Sequence, residues 1–210
     1  VTAGPLPPRP PDETYRIGFL GRIQNFPKGL DVLLRAVALM KEDVRGPLHL
    51  LAAGDGPDRE ISEALASSLG IAREVSFLGW TDDKRAFFQQ IDVLAVPSRY
   101  ESFGLVLLEA LAAGRQAVAS AVGGLAEIAA AIPSVRLSAP DSPRELANAL
   151  LAAKDGLPNY VGDEAARIVA ERFSAQAMTR RLEALYVEVM AERSNPRRRV
   201  EETPTISPGR

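Results

Sequence analysis

Short runs of aliphatic and β-branched residues alternate along the chain with longer stretches in which apolar positions recur every three or four residues. The short runs are Ile17 to Leu20, Leu48 to Ala53, Val75 to Leu78, Val93 to Val96 and Ala117 to Ala119, with a weaker one at Val135 to Leu137. Several are apolar on consecutive residues, as in strands covered on both faces. Between them Leu30, Leu33, Val37 and Met40 share a helical face, as do Met178, Leu182, Leu185 and Val189 near the end. Ser142-Pro143-Arg144-Glu145 offers an N-cap, a proline at the first helical position and a returning glutamate, while Gly70 and Gly114 stand where helices should stop. Strand then helix, repeated along the chain, predicts an α/β fold: a Rossmann-like parallel sheet of about six strands with right-handed crossovers and helices on both faces. Such sheets bind ligands beyond the carboxyl ends of their strands.

The two ends break this rhythm. Residues 1–14 are proline-dense without apolar period and are expected to form an extended, poorly packed linker. Residues 194–210 are polar and proline-punctuated, which predicts a disordered tail and leaves 15–193 as the folded domain. One domain is also what 210 residues suggest at about 150 residues per domain.

Composition then removes function classes. With 46% hydrophobic and 25% charged residues the chain can bury a core, and a net charge of −2 gives it no global pull toward nucleic acid or an anionic membrane. The absence of cysteine excludes disulfide scaffolds, thiolate metal sites and thiol nucleophiles. His49 is the single histidine; it starts a predicted strand and reads as a packing or edge residue. No apolar run approaches the roughly 18 residues of a membrane span, and the chain opens at Val1 without a leader, so a cytoplasmic piece of something longer is expected. There is no Gly-x-Ser-x-Gly elbow and no His-Glu-x-x-His, and Arg197-Arg198-Arg199 reads as a solvated charge run.

Three strand-to-helix loops combine glycine with charge. The first, Gly21-Arg22-Ile23-Gln24-Asn25-Phe26-Pro27-Lys28-Gly29, puts two cations near a helix start and suits a phosphate, although it lacks the spacing of a P-loop. The second, Gly54-Asp55-Gly56-Pro57, has Arg59 where a dinucleotide fingerprint needs its third glycine, and by itself reads as a tight turn with Pro57 opening a helix. The third runs from Pro97 and Ser98 through Glu101 and Phe103-Gly104-Leu105 to Glu109. Its two glutamates are separated by about 12 Å if helical, too far for a shared proton, but suited to gripping opposite ends of one elongated ligand. Carboxylates that accept hydroxyl hydrogen bonds at both ends, with amides, Arg22 and Lys28 between, describe a sugar, a diphosphate and a ribose in order. Glu109 lies among Leu107, Leu108, Ala110 and Leu111, where an unpartnered carboxylate is costly.

These pieces, with Phe77-Leu78-Gly79 and Gly123-Gly124 followed by Glu127, resemble in order and spacing the carboxyl-terminal, donor-binding domain of retaining GT-B glycosyltransferases of family 4. The resemblance covers Tyr15 to about Glu192. It implies half of a GT-B fold that transfers a glycosyl group, with retention, from a nucleotide diphosphate sugar to an acceptor hydroxyl, without cofactor or metal. Arg22 and Lys28 would hold the diphosphate, Glu101 the sugar and Glu109 the ribose. Gly21, Gly54, Ser98, Phe103, Gly104 and Leu105 would line the donor, and Phe77 and Leu78 would border the base. Catalytic roles fall to Glu101, Arg22 and Lys28.

The chain departs from the family where Gln116 replaces the proline of Gly-x-Pro-Val-Val, and in lacking the amino-terminal acceptor domain, without which it is expected to be inactive. Any peripheral membrane contact would run through that domain. Two rival readings are a GT-B sugar-nucleotide epimerase and a non-catalytic nucleotide-binding module. A phosphorylase is disfavoured, since no lysine sits in a recognisable pyridoxal setting.

Overall fold

The computed structural model describes residues 4–7, 13–157, 160 and 162–194. Six strands, β1 (Tyr15–Leu20), β2 (Leu48–Ala53), β3 (Val75–Gly79), β4 (Val93–Val96), β5 (Gln116–Ser120) and β6 (Arg136–Ser138), form one sheet in the order β3-β2-β1-β4-β5-β6. Every neighbouring pair is parallel. The order reverses between β1 and β4, so the loops leaving these strands diverge around a crevice.

The helices are α1 (Asn25–Lys28), α2 (Leu30–Asp43), α3 (Arg59–Ser68), α4 (Lys84–Gln89), α5 (Leu105–Ala112), α6 (Gly123–Ala131), α7 (Pro143–Gly156), α8 (Gly162–Arg172) and α9 (Ala175–Ser194). Alternate strand residues serve the two faces. Ile17, Phe19, Leu50, Ala52, Val93 and Val118 pack with Leu33, Val37 and Met40 of α2 and Leu146 and Leu150 of α7 in the larger core. On the opposite face Gly18 lies against Phe87 of α4 and Ile91, whose side chains leave no room for a Cβ there.

The expected strands and the helical stops at Gly70 and Gly114, both left-handed, are present. Four details differ. The helix after β2 begins at Arg59, because Pro57 and Asp58 are taken up by a turn. Ser142 caps α7, accepting from the Glu145 amide at 3.4 Å, but the Glu145 carboxylate accepts from the Ala139 N–H at 2.9 Å instead of closing back on Ser142. Part of the expected linker is packed: Leu6 is buried, its N–H donates to the Ala113 carbonyl at 3.0 Å, and Arg115 donates to the Pro7 carbonyl at 2.7 Å. The fourth is α9, whose helical-face residues Met178, Leu182, Leu185 and Val189 remain exposed.

Two compact units divide the chain, Val1–Ala170 with the whole sheet and Glu171–Arg210 with α9. Among the described residues no helix is long and apolar enough to cross a membrane. The expected tail beyond 194, including its arginine run, lies outside the described residues.

Candidate functional site

The loop after β1 and the loop after β4 meet at the switch point. Lys28, at the end of α1, donates from Nζ to Glu101 Oε2 at 2.7 Å, with the carboxylate side chain only 15% exposed. Two residues singled out from separate loops, 73 positions apart, thus form one ion pair. Arg22 is exposed in the first loop, and no ion pair joins it to Glu101 or Glu109 among the described residues.

Glu109 sits in the second turn of α5, facing α4. Lys84 donates to both of its oxygens, at 2.7 and 2.9 Å, and the carboxylate side chain is 25% exposed. The two glutamates therefore carry separate ammonium partners, as expected of groups that do not share a proton. Lys84 also answers the cost of a carboxylate in an apolar setting, so that setting alone does not require a ligand. Nothing in the sequence distinguishes Lys84 from other surface lysines; it is placed by the short helix α4, which Asp83 caps by accepting from the Ala86 amide at 2.9 Å.

Between these carboxylates α5 begins at Leu105, with Gly104 as its left-handed N-cap. Phe103 and Leu105 project outward and are exposed, whereas Ser98 is buried beneath the loop. Gly123 and Gly124 press on this segment from α6. A Cβ on Gly124 would stand 2.6 Å from Phe103 Cα and 2.7 Å from the Ser102 carbonyl, distances no real side chain tolerates. This close approach is the physical content of the glycine pair. Glu127, one turn later, is exposed.

The second loop closes the other side. Gly54 donates to the Gly79 carbonyl at 2.7 Å, and a Cβ on it would fall 1.8 Å from the Gly21 carbonyl, so the ends of β1, β2 and β3 touch only because glycine is there. Phe77 is half-buried, its carbonyl accepting from Arg59 at 3.4 Å, and Leu78 is exposed. Gln116, where the family motif has proline, is buried as the first residue of β5 and leaves the preceding Gly114 turn intact.

His49 lies at the amino end of β2, away from these loops, with Nε2 2.9 Å from Ser76 Oγ. Burial and the Arg16 charge outweigh Glu74 and hold its pKa below the ordinary value. Arg99 was not singled out from the sequence, although it stands inside the third loop. Its guanidinium meets Asp31 and Asp141. Burial alone would raise the Asp31 carboxyl; the Arg99 hydrogen bonds and charge overcome it and bring the pKa below the usual range.

Residues 14–155 match the family model described as glycosyl transferases group 1. A D-inositol 3-phosphate glycosyltransferase of Corynebacterium aurimucosum is 38% identical over 189 residues, which is 86% of this chain and 45% of that protein. A solved Anabaena structure, HepE in complex with UDP and glucose, superposes with a TM-score of 0.73 at 22% identity, covering 83% of this chain and 48% of that one. The isolated carboxyl-terminal domain of a group 1 glycosyl transferase from Francisella tularensis superposes with a TM-score of 0.65 at 22% identity, covering 77% of this chain and 87% of that domain. The chain thus spans about half the length of the curated relative. The parallel sheet with its switch point, the glycine contacts at the strand ends and the family match over 14–155 lead to one conclusion: this chain belongs to the group 1 glycosyl transferases and has the Rossmann-like fold of one half of a GT-B enzyme.

Proposed function

We propose that this domain holds the donor of a retaining glycosyl transfer, a nucleoside diphosphate sugar, at the carboxyl edge of the sheet. The observation that carries the reading is the Lys28–Glu101 pair across the switch point. A cation suited to phosphate beside a carboxylate suited to hydroxyls is the pairing that a phosphate–sugar linkage requires. Glu109 and Lys84, on the far side of the α5 amino end, provide a second carboxylate for the vicinal hydroxyls of a ribose. The Anabaena neighbour, solved with UDP and glucose, supports the same ligand class.

In this reading Arg22, Lys28 and the amides of Phe103, Gly104 and Leu105 stabilise the negative charge that develops on the diphosphate as the bond from the anomeric carbon to the phosphate oxygen breaks. Glu101 orients the sugar as it becomes oxocarbenium-like, and the acceptor oxygen bonds to the same face that the diphosphate leaves. Gly21 and Gly54 let the nucleotide approach the backbone, Ser98 supports the loop from below, and Phe77 and Leu78 flank the base. With protein cations supplying the charge, the domain needs no metal or other cofactor. The acceptor site belongs to a second, amino-terminal domain, through which any membrane contact would run, and the enzyme works in the cytoplasm.

The test is a thermal-shift panel of UDP, GDP and ADP with their common sugars. A ligand bound only by the folded state at about 100 times its Kd adds roughly 2.7 kcal/mol of stability. One base family should raise the midpoint, and no shift with any of them would overturn the reading.

A further inference from the structure

The structure assigns Arg99 as the positioning residue that holds Lys28 against Glu101, an inference that rests on the donor reading above. Its guanidinium grips Asp31 with two parallel hydrogen bonds, Nη1 to Oδ1 and Nη2 to Oδ2, both 2.8 Å. It also donates to Asp141 Oδ1 from Nη2 at 2.7 Å and from Nε at 3.1 Å, and from Nη1 to the Asn25 carbonyl at 2.6 Å. Its own N–H donates to the Pro27 carbonyl at 2.8 Å.

The sequence positions of these partners give the cluster its meaning. Asn25, Pro27 and Asp31 bracket Lys28 on both sides, and Arg99 itself lies two residues before Glu101. One rigid fork therefore fixes the segment that carries the cation to the segment that carries the carboxylate. Asp141, from the loop entering α7, closes the fork from outside with a side chain 65% exposed, whereas Arg99 and Asp31 are 21% and 22% exposed. Asp141 meets Arg99 from a left-handed backbone, φ 55°, a conformation that short polar residues adopt more readily than others. Both carboxylates engage Arg99 directly, so the guanidinium acts on a phosphate through Lys28 and not by contact.

A planar, five-donor fork does this and an ammonium does not. Lysine in its place keeps one charge but cannot hold Asp31 bidentately while also reaching Asp141 and Asn25. The consequence is specific: without the fork the domain keeps its affinity for the nucleoside and first phosphate but loses the gain from the second.

The experiment compares affinity for nucleoside diphosphate with that for the matching monophosphate, by calorimetry on the folded chain, for the pairs UDP/UMP, GDP/GMP and ADP/AMP. The variants are Arg99→Met, Arg99→Lys, Lys28→Ala and the double variant of Lys28→Ala with Arg99→Met. Arg99→Lys retains charge and stem and keeps the test available if Arg99→Met does not fold. The diphosphate preference should fall about fivefold or more in Arg99→Met and in Arg99→Lys alike, and the double variant should lose no more than Lys28→Ala alone, the non-additivity of residues that act as a unit. A purely structural role would lower the melting midpoint and leave the preference in the folded protein unchanged, which overturns the inference. A wild-type preference in Arg99→Lys, or additive losses in the double variant, also overturns it, since each makes Arg99 an independent charge. If the wild-type chain binds none of the diphosphates, the donor reading itself fails.

Discussion

Lys28 and Arg22 occupy the same loop in different settings, one bonded to Glu101 and the other exposed. Alanine at either position should weaken nucleoside diphosphate binding by roughly 1 to 3 kcal/mol, the scale of a charge-assisted hydrogen bond; unchanged calorimetric affinity in both would remove the phosphate assignment. The glutamates divide the ligand differently. Glu109→Ala should weaken the bare nucleotide, and Glu101→Ala should mainly erase the preference for the sugar-bearing donor over it; equal losses of the bare nucleotide in both would contradict the polarity assigned to the site. His49 governs a separate property. Its folded-state pKa is held below its ordinary value, so the stability linked to its neutral form is complete above about pH 6.5 and is lost as the pH falls through the folded-state value. As the single histidine, it is the one side chain with an ordinary pKa in that window. His49→Gln, which keeps a partner for Ser76, should flatten the decline in melting midpoint between pH 7 and 5, and an NMR titration of the wild-type imidazole should give a midpoint below 6.5. A midpoint at or above that value would contradict the burial argument.

At the scale of elements, the glycine pair opening α6 is a tight local constraint on the third loop. Gly124→Ala pushes a methyl into the backbone of Ser102 and Phe103, and overpacking of this kind costs about 1 to 3 kcal/mol. The variant should melt lower and discriminate poorly for the donor sugar, since the displaced segment carries Glu101; a midpoint matching wild type would mean the loop yields freely. The strands and their carboxyl-end loops were legible in the sequence because consecutive apolar residues and glycines at strand ends are local signals. The ion pairs were not. Lys84 meets Glu109 only because the first residue of α4 lies against α5, and Arg99 meets Asp31 only because β4 lies beside β1 in the sheet, with Asp141 brought in from the loop before α7. Such pairings depend on tertiary neighbours that a linear reading does not supply. Leu6 is a similar case, since a single apolar residue in a proline-dense stretch carries no period, yet it is buried near Ala113. The stripe on α9 shows the converse: its three- and four-residue period marks a helix, but period alone does not name what a face packs against.

For the whole molecule, the donor reading makes binding and turnover separable. The chain spans 45% of a curated relative, and GT-B transfer takes place in a cleft closed by two domains. The isolated chain should therefore bind a nucleotide sugar, with affinity unchanged by a metal chelator, yet transfer nothing to an acceptor panel at a useful rate until the other domain is joined to it; multiple-turnover transfer by this chain alone would place the acceptor site within it. The most direct test of the donor site is amide hydrogen exchange with and without a saturating nucleotide sugar. Protection should appear at residues 21–29 and 97–105, the two loops that meet at the switch point. Protection confined instead to the opposite edge, around the cavity lined by Arg16, His49, Leu51 and Gln89, would contradict the account.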